Sequence, residues 1–512
     1  MIRTLLQLTA FLLSLSTYEC AHAHGFGERY DLPVPMSWVI ACACLVVALT
    51  FLVSATWSSN KFLSNLGELV DINHFGLETT FQSSLKNQVA GVFSTGLLLL
   101  CFSTATWGSE DALMNFAPTF IWIIWWIGCS FCVVIFGNFW PSIDPWRSTY
   151  RLIHFIFKFK HENVLDQHIL LRHTPKWRYP SSLGLWLGVI GLLTWCGLEI
   201  IYPIASMPRQ LSLFIAAYSL WNWMGMWGFG MEVWCKNADV FSIYFRHLAS
   251  LHSLFKTKKS SCPSEVSNTV SDQIPTHRDF ALSQIAFVIA MIATVLFDGL
   301  HAGSAWLWFE STLSKWNFFS ADINGYRSGV LGLFLIWFLF LLIYLVTCQF
   351  TLWTIELFFN QKSNPSKDTH PHRIDFVSTG HIFLKSLLPI AFAYLIAHNF
   401  SGLFIQGQNI IALASDPLGL MWNIFGTASY YPDIALIDAK VTWYVATCSI
   451  VMGHIASVFM GHRAALTLSH RSIQRISSRF IWVLNLPMTF LMIAFTALSL
   501  SIIAEPLSVI AG

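Results

Sequence analysis

Charge is what this 512-residue chain has least of: Asp, Glu, Lys and Arg together make up 11% of it, against 55% hydrophobic residues. A soluble domain carries roughly 25% charged residues. The shortfall excludes a soluble globular protein and predicts an integral membrane protein. A net charge of +2 leaves no basic surface for nucleic acid, and there is no Gly-Lys phosphate loop or RNA-binding aromatic signature. A G-x-S-x-G elbow and an H-E-x-x-H helix are also missing, which removes serine-elbow and zincin chemistry. Cysteine is absent from every expected outer loop. Of eleven cysteines, Cys20 falls in the leader, Cys235 and Cys262 in an inner loop, and Cys42, Cys44, Cys101, Cys129, Cys132, Cys196, Cys348 and Cys448 in apolar runs. Structural disulfides, which belong to oxidising compartments, are therefore not expected. "GCSFC" places Cys129 and Cys132 on one helix face, either as a thiolate metal pair or, the better fit to an apolar bundle, as small packing residues.

What is present is long apolar segments. The first 23 residues read as a secretory signal: Arg3, the apolar run "TLLQLTAFLLSLS", then Ala21-His22-Ala23 as a cleavage pattern. Residues 24–512 are expected to form a single integral membrane domain. Runs long enough to cross about 30 Å of hydrocarbon fall at 37–57, 89–107, 117–137, 182–202, 211–232, 280–299, 329–356, 380–400, 441–461 and 481–503. The expected fold is all-α, a polytopic bundle of about ten transmembrane helices. With the mature N-terminus outside, the inner loops carry 22 of the chain's 29 Lys and Arg and the outer segments five. The positive-inside rule supports that orientation, with both termini periplasmic and a bacterial inner membrane as host.

The loops divide unequally. Those at 138–181 and 233–279 are long, basic and cytoplasmic, and the second ends in the linker-like "KTKKSSCPSEVSNTVSDQIP". "DVFSIYFRHLASLHSLF" has the spacing of an amphipathic helix lying along the inner membrane surface. On the outer side, 401–440 is too apolar for a free loop and too broken by Pro417, Gly419 and Gly426 for a straight span. It reads as a re-entrant or surface-lying segment, whose irregular backbone needs protein or a cavity to satisfy it.

Ionisable groups in or beside the spans are where function is to be sought. Glu199, Asp298, His301 and His398 all fall at outer helix ends. In "LFDGLHAG", Asp298 and His301 lie three apart, about 60° around a helix and about 4.5 Å along it, so both can face one metal; a capping Asp and an interfacial His are the alternative. His398 brings a ligand from another helix, and Asp416 one from the 401–440 segment. His454 lies about 20 Å into its helix, deep for the same cluster. His462 belongs to the inner interface.

"HGFGERYDLPVP", "GNFWPSIDPWR", "TVLFDG", "AHNFSGLFIQGQ", "SDPLGLMWNIFGTA", "TWYV" and "GHIASVFMGHRAAL", in that order, resemble a family of bacterial polytopic membrane proteins commonly labelled fenitrothion hydrolase. The resemblance runs from residue 24 to about 470. It implies hydrolysis of an organophosphorus triester, and it makes Asp298, His398 and His454 the family-type positions. Departures are Asp144 where Asn is expected before "PW", Asn399 where an aromatic follows the His, and His301 beside "FDG".

Triester hydrolysis needs activated water, commonly on a metal that also polarises the phosphoryl oxygen. His and carboxylate ligands suit zinc or manganese. The expected catalytic residues are Asp298 and His398, and the expected metal ligands are His24, Asp298, His301, His398, Asp416 and His454. Cleavage after Ala23 would also give His24 a free amino nitrogen beside its ring, a copper-type chelate that His398 or His301 can complete. The non-enzyme alternative is a transporter or a copper-handling accessory of a membrane or periplasmic partner. Against transport stand the lack of an internal repeat and the sparse polar lining of the first three helices. The remaining expected partners are the lipid bilayer and a small apolar substrate that reaches an outer-leaflet site through it.

Overall fold

The computed structural model describes residues 23–25, 28–30, 35–56, 84–159, 175–254, 278–316, 318, 325–359, 375–471 and 481–504. The signal peptide, 1–23, lies outside them but for Ala23, whose backbone alone is described. Two short strands, β1 (Ala23–Gly25) and β2 (Glu28–Tyr30), pair antiparallel with His24 opposite Arg29. The helices that carry the argument are α1 (Met36–Thr56), α2 (Ser84–Trp107), α3 (Phe116–Phe136), α4 (Pro145–Phe159), α5 (Trp186–Ile201), α6 (Pro208–Phe229), α7 (Met231–Asn237), α8 (Val240–Ala249), α9 (Arg278–His301), α10 (Ser304–Leu313), α11 (Tyr326–Phe359), α12 (Phe376–Ile405), α13 (Asn409–Ser415), α14 (Ala439–Arg471) and α15 (Ile481–Ala504).

The protein is an all-α, multi-pass membrane protein. Among the described residues, nine helices are long and apolar enough to cross a bilayer. The tenth expected span, 211–232, falls mainly on the 22-residue helix α6, long enough to cross about 30 Å of hydrocarbon. It falls short in composition, because Arg209, Gln210, Ser212, Ser219 and Asn222 dilute its apolar residues. The outward faces of the bundle are apolar in helical register: Leu45, Leu49 and Leu52 on α1, and Phe334, Phe338 and Leu342 on α11, are all exposed. In water such stripes would be a liability; against lipid they are the expected surface.

The chain forms two compact units, residues 1–62, 269–401 and 437–512, and residues 63–268 and 402–436. In the first, α9 is the inner helix, with 14 of its 24 residues buried. It packs against α11 and α15, and α15 also packs against α1 and α14. Close approach of α12 to α14 depends on Gly453: a Cβ there would stand 2.4 Å from Ala393 Cβ and 2.9 Å from the Pro389 carbonyl oxygen. Pro389 lies inside α12 and has no amide hydrogen to give the preceding turn.

The second unit is built round aromatics. In α3 the stretch Thr119–Gly128 winds as a π-helix, which puts Trp125 and Trp126 together on the inner face. Trp125 meets Phe241 at 4.4 Å, Trp140 at 5.9 Å, Trp146 at 6.0 Å and Trp195 at 6.1 Å between ring centroids. Helix α8, expected on the inner membrane surface, is instead a core element: eight of its ten residues are buried, against α3, α5 and α7. An apolar helix face that suits a membrane surface suits a protein core equally well, and the indole cluster takes it.

Segment 401–440 divides into the end of α12, the turn Gln406–Gln408, α13, and irregular backbone to 438. Its polar backbone is satisfied from within. Asp416 accepts from the amides of Leu420 and Met421, both at 2.8 Å, Ser415 Oγ from those of Phe425 and Thr427, and Gln408 Oε1 from that of Asp433.

Candidate functional site: a carboxylate and imidazole pair on a membrane cavity

In the first unit, Asp298 on the last turn of α9 and His398 on α12 meet side chain to side chain, with His398 Nε2 2.5 Å from Asp298 Oδ2. They lie on the wall of a cavity of about 270 Å³. Its other walls are mostly apolar or small: Val295, Leu296 and Gly299 from α9, Ala446 and Ile450 from α14, and Ile502 and Ile503 from α15. Four hydroxyl side chains line it, Tyr394, Ser401, Thr442 and Ser499, and Tyr394 and Ser499 are hydrogen-bonded to one another. Ser499 Oγ already donates to the Phe495 carbonyl, so Tyr394 is the donor to Ser499. Small residues make room here, since a Cβ at Gly299 would come within 2.7 Å of Ile502.

The chemistry of the pair follows from which nitrogen is held. With Nε2–H donating to the carboxylate, a neutral ring would carry its lone pair on Nδ1. Asp298 fixes the tautomer and stabilises the imidazolium once a proton is taken, the relation of carboxylate to imidazole in hydrolytic triads.

Of the remaining expected residues, His301 and His454 lie in the same unit, and His301 is near enough to Asp298 to interact with it electrostatically. His301 is packed by its ring on Trp306 at 4.9 Å and Phe297 at 5.5 Å. His454 is fully buried one turn beyond Ile450. Its Nδ1 lies 2.8 Å from the Ile450 carbonyl, its ring centroid is 6.2 Å from that of Tyr394, and its Nε2 has no hydrogen-bond partner. Asp416 belongs to the second unit, with both carboxylate oxygens engaged by backbone amides. The side chain of His24 lies outside the described residues. Among the described residues, Asp298 and His398 offer two donor atoms already joined to each other, where a catalytic zinc takes three protein ligands plus water.

A second polar cluster, which the sequence reading missed, lies in the second unit. Asp144 caps α4 and Asp239 caps α8. Asp144 Oδ1 accepts from the amides of Trp146 at 2.9 Å and Arg147 at 3.1 Å. Asp239 accepts from the Ser242 amide at 3.1 Å and from the Tyr218 hydroxyl. With Cys235 of α7 they bring three donor atoms within 4.8 Å of one another, the sole such three-residue group among the described residues. All three residues are buried. Burial pushes the Asp144 carboxyl up, and Asp239 adds to the shift while Arg147 and the capping amides oppose it. The Cys235 thiol is likewise raised, first by burial and then by the two carboxylates. The available signal was an Asp before Pro145 and Trp146 in an apolar context, the position marked above as a departure from the family pattern.

Comparison with protein-family models, with curated proteins and with solved structures gives no match to this chain. The class that the fold and site define is therefore a multi-pass helical membrane protein with a carboxylate-held imidazole on a cavity formed by its apolar helices.

Proposed function

We propose that this membrane protein hydrolyses a small apolar ester, of the organophosphorus class that the sequence resemblance implies, in the cavity beside Asp298 and His398. The observation that carries the reading is the 2.5 Å contact between those two side chains on the wall of a largely apolar cavity. Apolar walls favour a substrate that partitions into lipid. His398 Nδ1 takes a proton from water, the resulting hydroxide attacks phosphorus, the bond from phosphorus to the leaving oxygen breaks, and the imidazolium returns its proton to that oxygen. Asp298 holds the ring throughout and stabilises its charged form. The step as proposed needs only the pair, the two donor atoms that the described residues join here.

The reading extends to the bacterial inner membrane, with both termini periplasmic and the site on the outer side, supported by the 22-to-five distribution of basic residues. A phosphatase fused after Gly512 should be active and one fused after Lys259 inactive. The reverse pattern would move the site to the inner leaflet. Turnover of a chromogenic phosphotriester by detergent-purified protein of measured metal content tests the activity itself.

A second reading, a transporter or a metal-handling accessory, draws on the placement of both groups in membrane-spanning helices, where ionisable side chains mark ion and substrate paths. In its metal form, zinc, manganese or copper would be held by His398 with His301 or the mature His24. Stoichiometric metal that is lost in His398→Ala, without ester turnover, would favour it.

A further inference from the structure

We propose that Asp144, Cys235 and Asp239 form a binding site for one divalent, thiolate-accepting ion of the zinc type, separate from the Asp298–His398 cavity and in the other unit of the chain. Capping alone accounts for part of this cluster. Each carboxylate begins a helix, and Asp239 has both oxygens engaged by Tyr218 and Ser242. It does not account for Asp144 Oδ2, which is buried with no hydrogen bond and only the Arg147 guanidinium, at 3.4 Å, beside it, nor for a buried thiol within 4.8 Å of two carboxylates. An ion there would give that buried oxygen a short, direct partner.

Donor chemistry and charge agree. One sulfur and two carboxylate oxygens suit zinc, with water as the fourth ligand. Supporting hydrogen bonds are already in place, since Trp146 and Arg147 amides hold Asp144 and the Tyr218 hydroxyl holds Asp239, as ligating carboxylates require. The carboxylates of Asp144, Asp239 and Glu232 against the guanidinium groups of Arg147 and Arg246 sum to −1. Binding of a divalent ion with release of the Cys235 proton to solvent adds +2 and −1, which brings the set to zero.

Arg147 is the competitor. Its Nε lies 3.4 Å from Asp144 Oδ2, and its Nη1 lies 3.4 Å from Glu232 Oε1. Glu232 is largely exposed and gives the guanidinium a second anion to rest on when the ion takes Asp144. The two positively charged occupants therefore exclude one another at Oδ2. This is the feature that separates an ion site from a purely structural ion pair: loss of Arg147 should damage the pair but improve the site.

The test is titration of the reduced, chelator-stripped full-length protein in detergent with cadmium, read by the ultraviolet thiolate-to-cadmium band, and with zinc by calorimetry. The expected result is one ion per chain. Cys235→Ser should abolish the band. Asp144→Asn should weaken zinc by more than the roughly 10–100-fold that loss of a mere supporting contact costs. Arg147→Gln should bind zinc as tightly as the parent or tighter, and His398→Ala should leave binding unchanged. Helical content and elution volume of each variant establish that it is folded. The proposal is overturned if the parent shows no thiolate band, if the band survives in Cys235→Ser, or if Arg147→Gln, still folded, loses the ion. Loss of binding in His398→Ala with retention in Cys235→Ser would assign the ion to the cavity instead.

Discussion

Gly453→Ala is the sharpest test of how the cavity is held open. The new methyl would stand 2.4 Å from Ala393 Cβ and 2.9 Å from the Pro389 carbonyl oxygen. Carbon atoms rest about 3.5–4.0 Å apart, so α12 and α14 must separate by roughly 1 Å. Overpacking of this kind costs about 1–3 kcal/mol, and the better helix propensity of alanine returns about 0.8–1.0 kcal/mol. The expected net loss is therefore about 0–2 kcal/mol, and Gly453→Val should lose more. Gly96, in α2, is the internal control, because a Cβ there meets nothing within 4 Å. Gly96→Ala should stabilise by about 0.5–1 kcal/mol. Apparent unfolding temperatures at one fixed scan rate in one detergent would rank the parent between the two alanine variants. Adding Ala393→Gly to Gly453→Ala should cost less than Ala393→Gly alone, a partial recovery, since it removes the 2.4 Å clash between the two methyls while the 2.9 Å contact with the Pro389 carbonyl remains. If Gly453→Ala stabilises as much as Gly96→Ala, or if Ala393→Gly brings no recovery, α12 and α14 do not meet at this point and the cavity walls are wrongly assigned.

Further outcomes follow from the second unit and its outer segment. Trp125→Ala removes a side chain packed among five aromatic neighbours at 4.4 to 6.4 Å between ring centroids, and should destabilise by about 3–5 kcal/mol, measured by unfolding in mixed micelles; a loss below about 1 kcal/mol would contradict the π-helical placement of that indole. Met421 is held at a positive φ of 64° with its amide on Asp416, so Asp416→Ala should raise hydrogen exchange at Leu420 and Met421 while leaving α13 protected. Unchanged exchange there would show that the carboxylate does not hold the turn.

Hydropathy located the spans well because lipid leaves the chain few options: 37–57, 280–299 and 329–356 correspond to Met36–Thr56, Arg278–His301 and Tyr326–Phe359. Asp298 and His398 were legible for the same reason, as ionisable groups at the ends of apolar runs. The three-residue spacing of His301 was less informative. It sets where the residue stands on the helix, but Phe297 one turn earlier and Trp306 beyond the helix end take the ring. The Asp144, Cys235 and Asp239 cluster was hidden by distance along the chain and by the basic loops around it, which read as solvated. Helix α8 was placed on the membrane surface because amphipathic spacing names an apolar face and not the partner that covers it.

The measurement closest to the central claim is the kcat/KM of purified parent protein, His398→Ala and Asp298→Asn on a chromogenic apolar phosphotriester. A general base contributes about 10²- to 10⁴-fold, or roughly 2.7–5.4 kcal/mol at about 1.36 kcal/mol per tenfold. His398→Ala should fall by that amount in turnover with substrate affinity nearly kept. Asp298→Asn, which leaves the ring but releases its tautomer, should fall toward the same range. Turnover in His398→Ala equal to that of the parent, or no turnover by the parent in the absence of any metal dependence, would contradict the account.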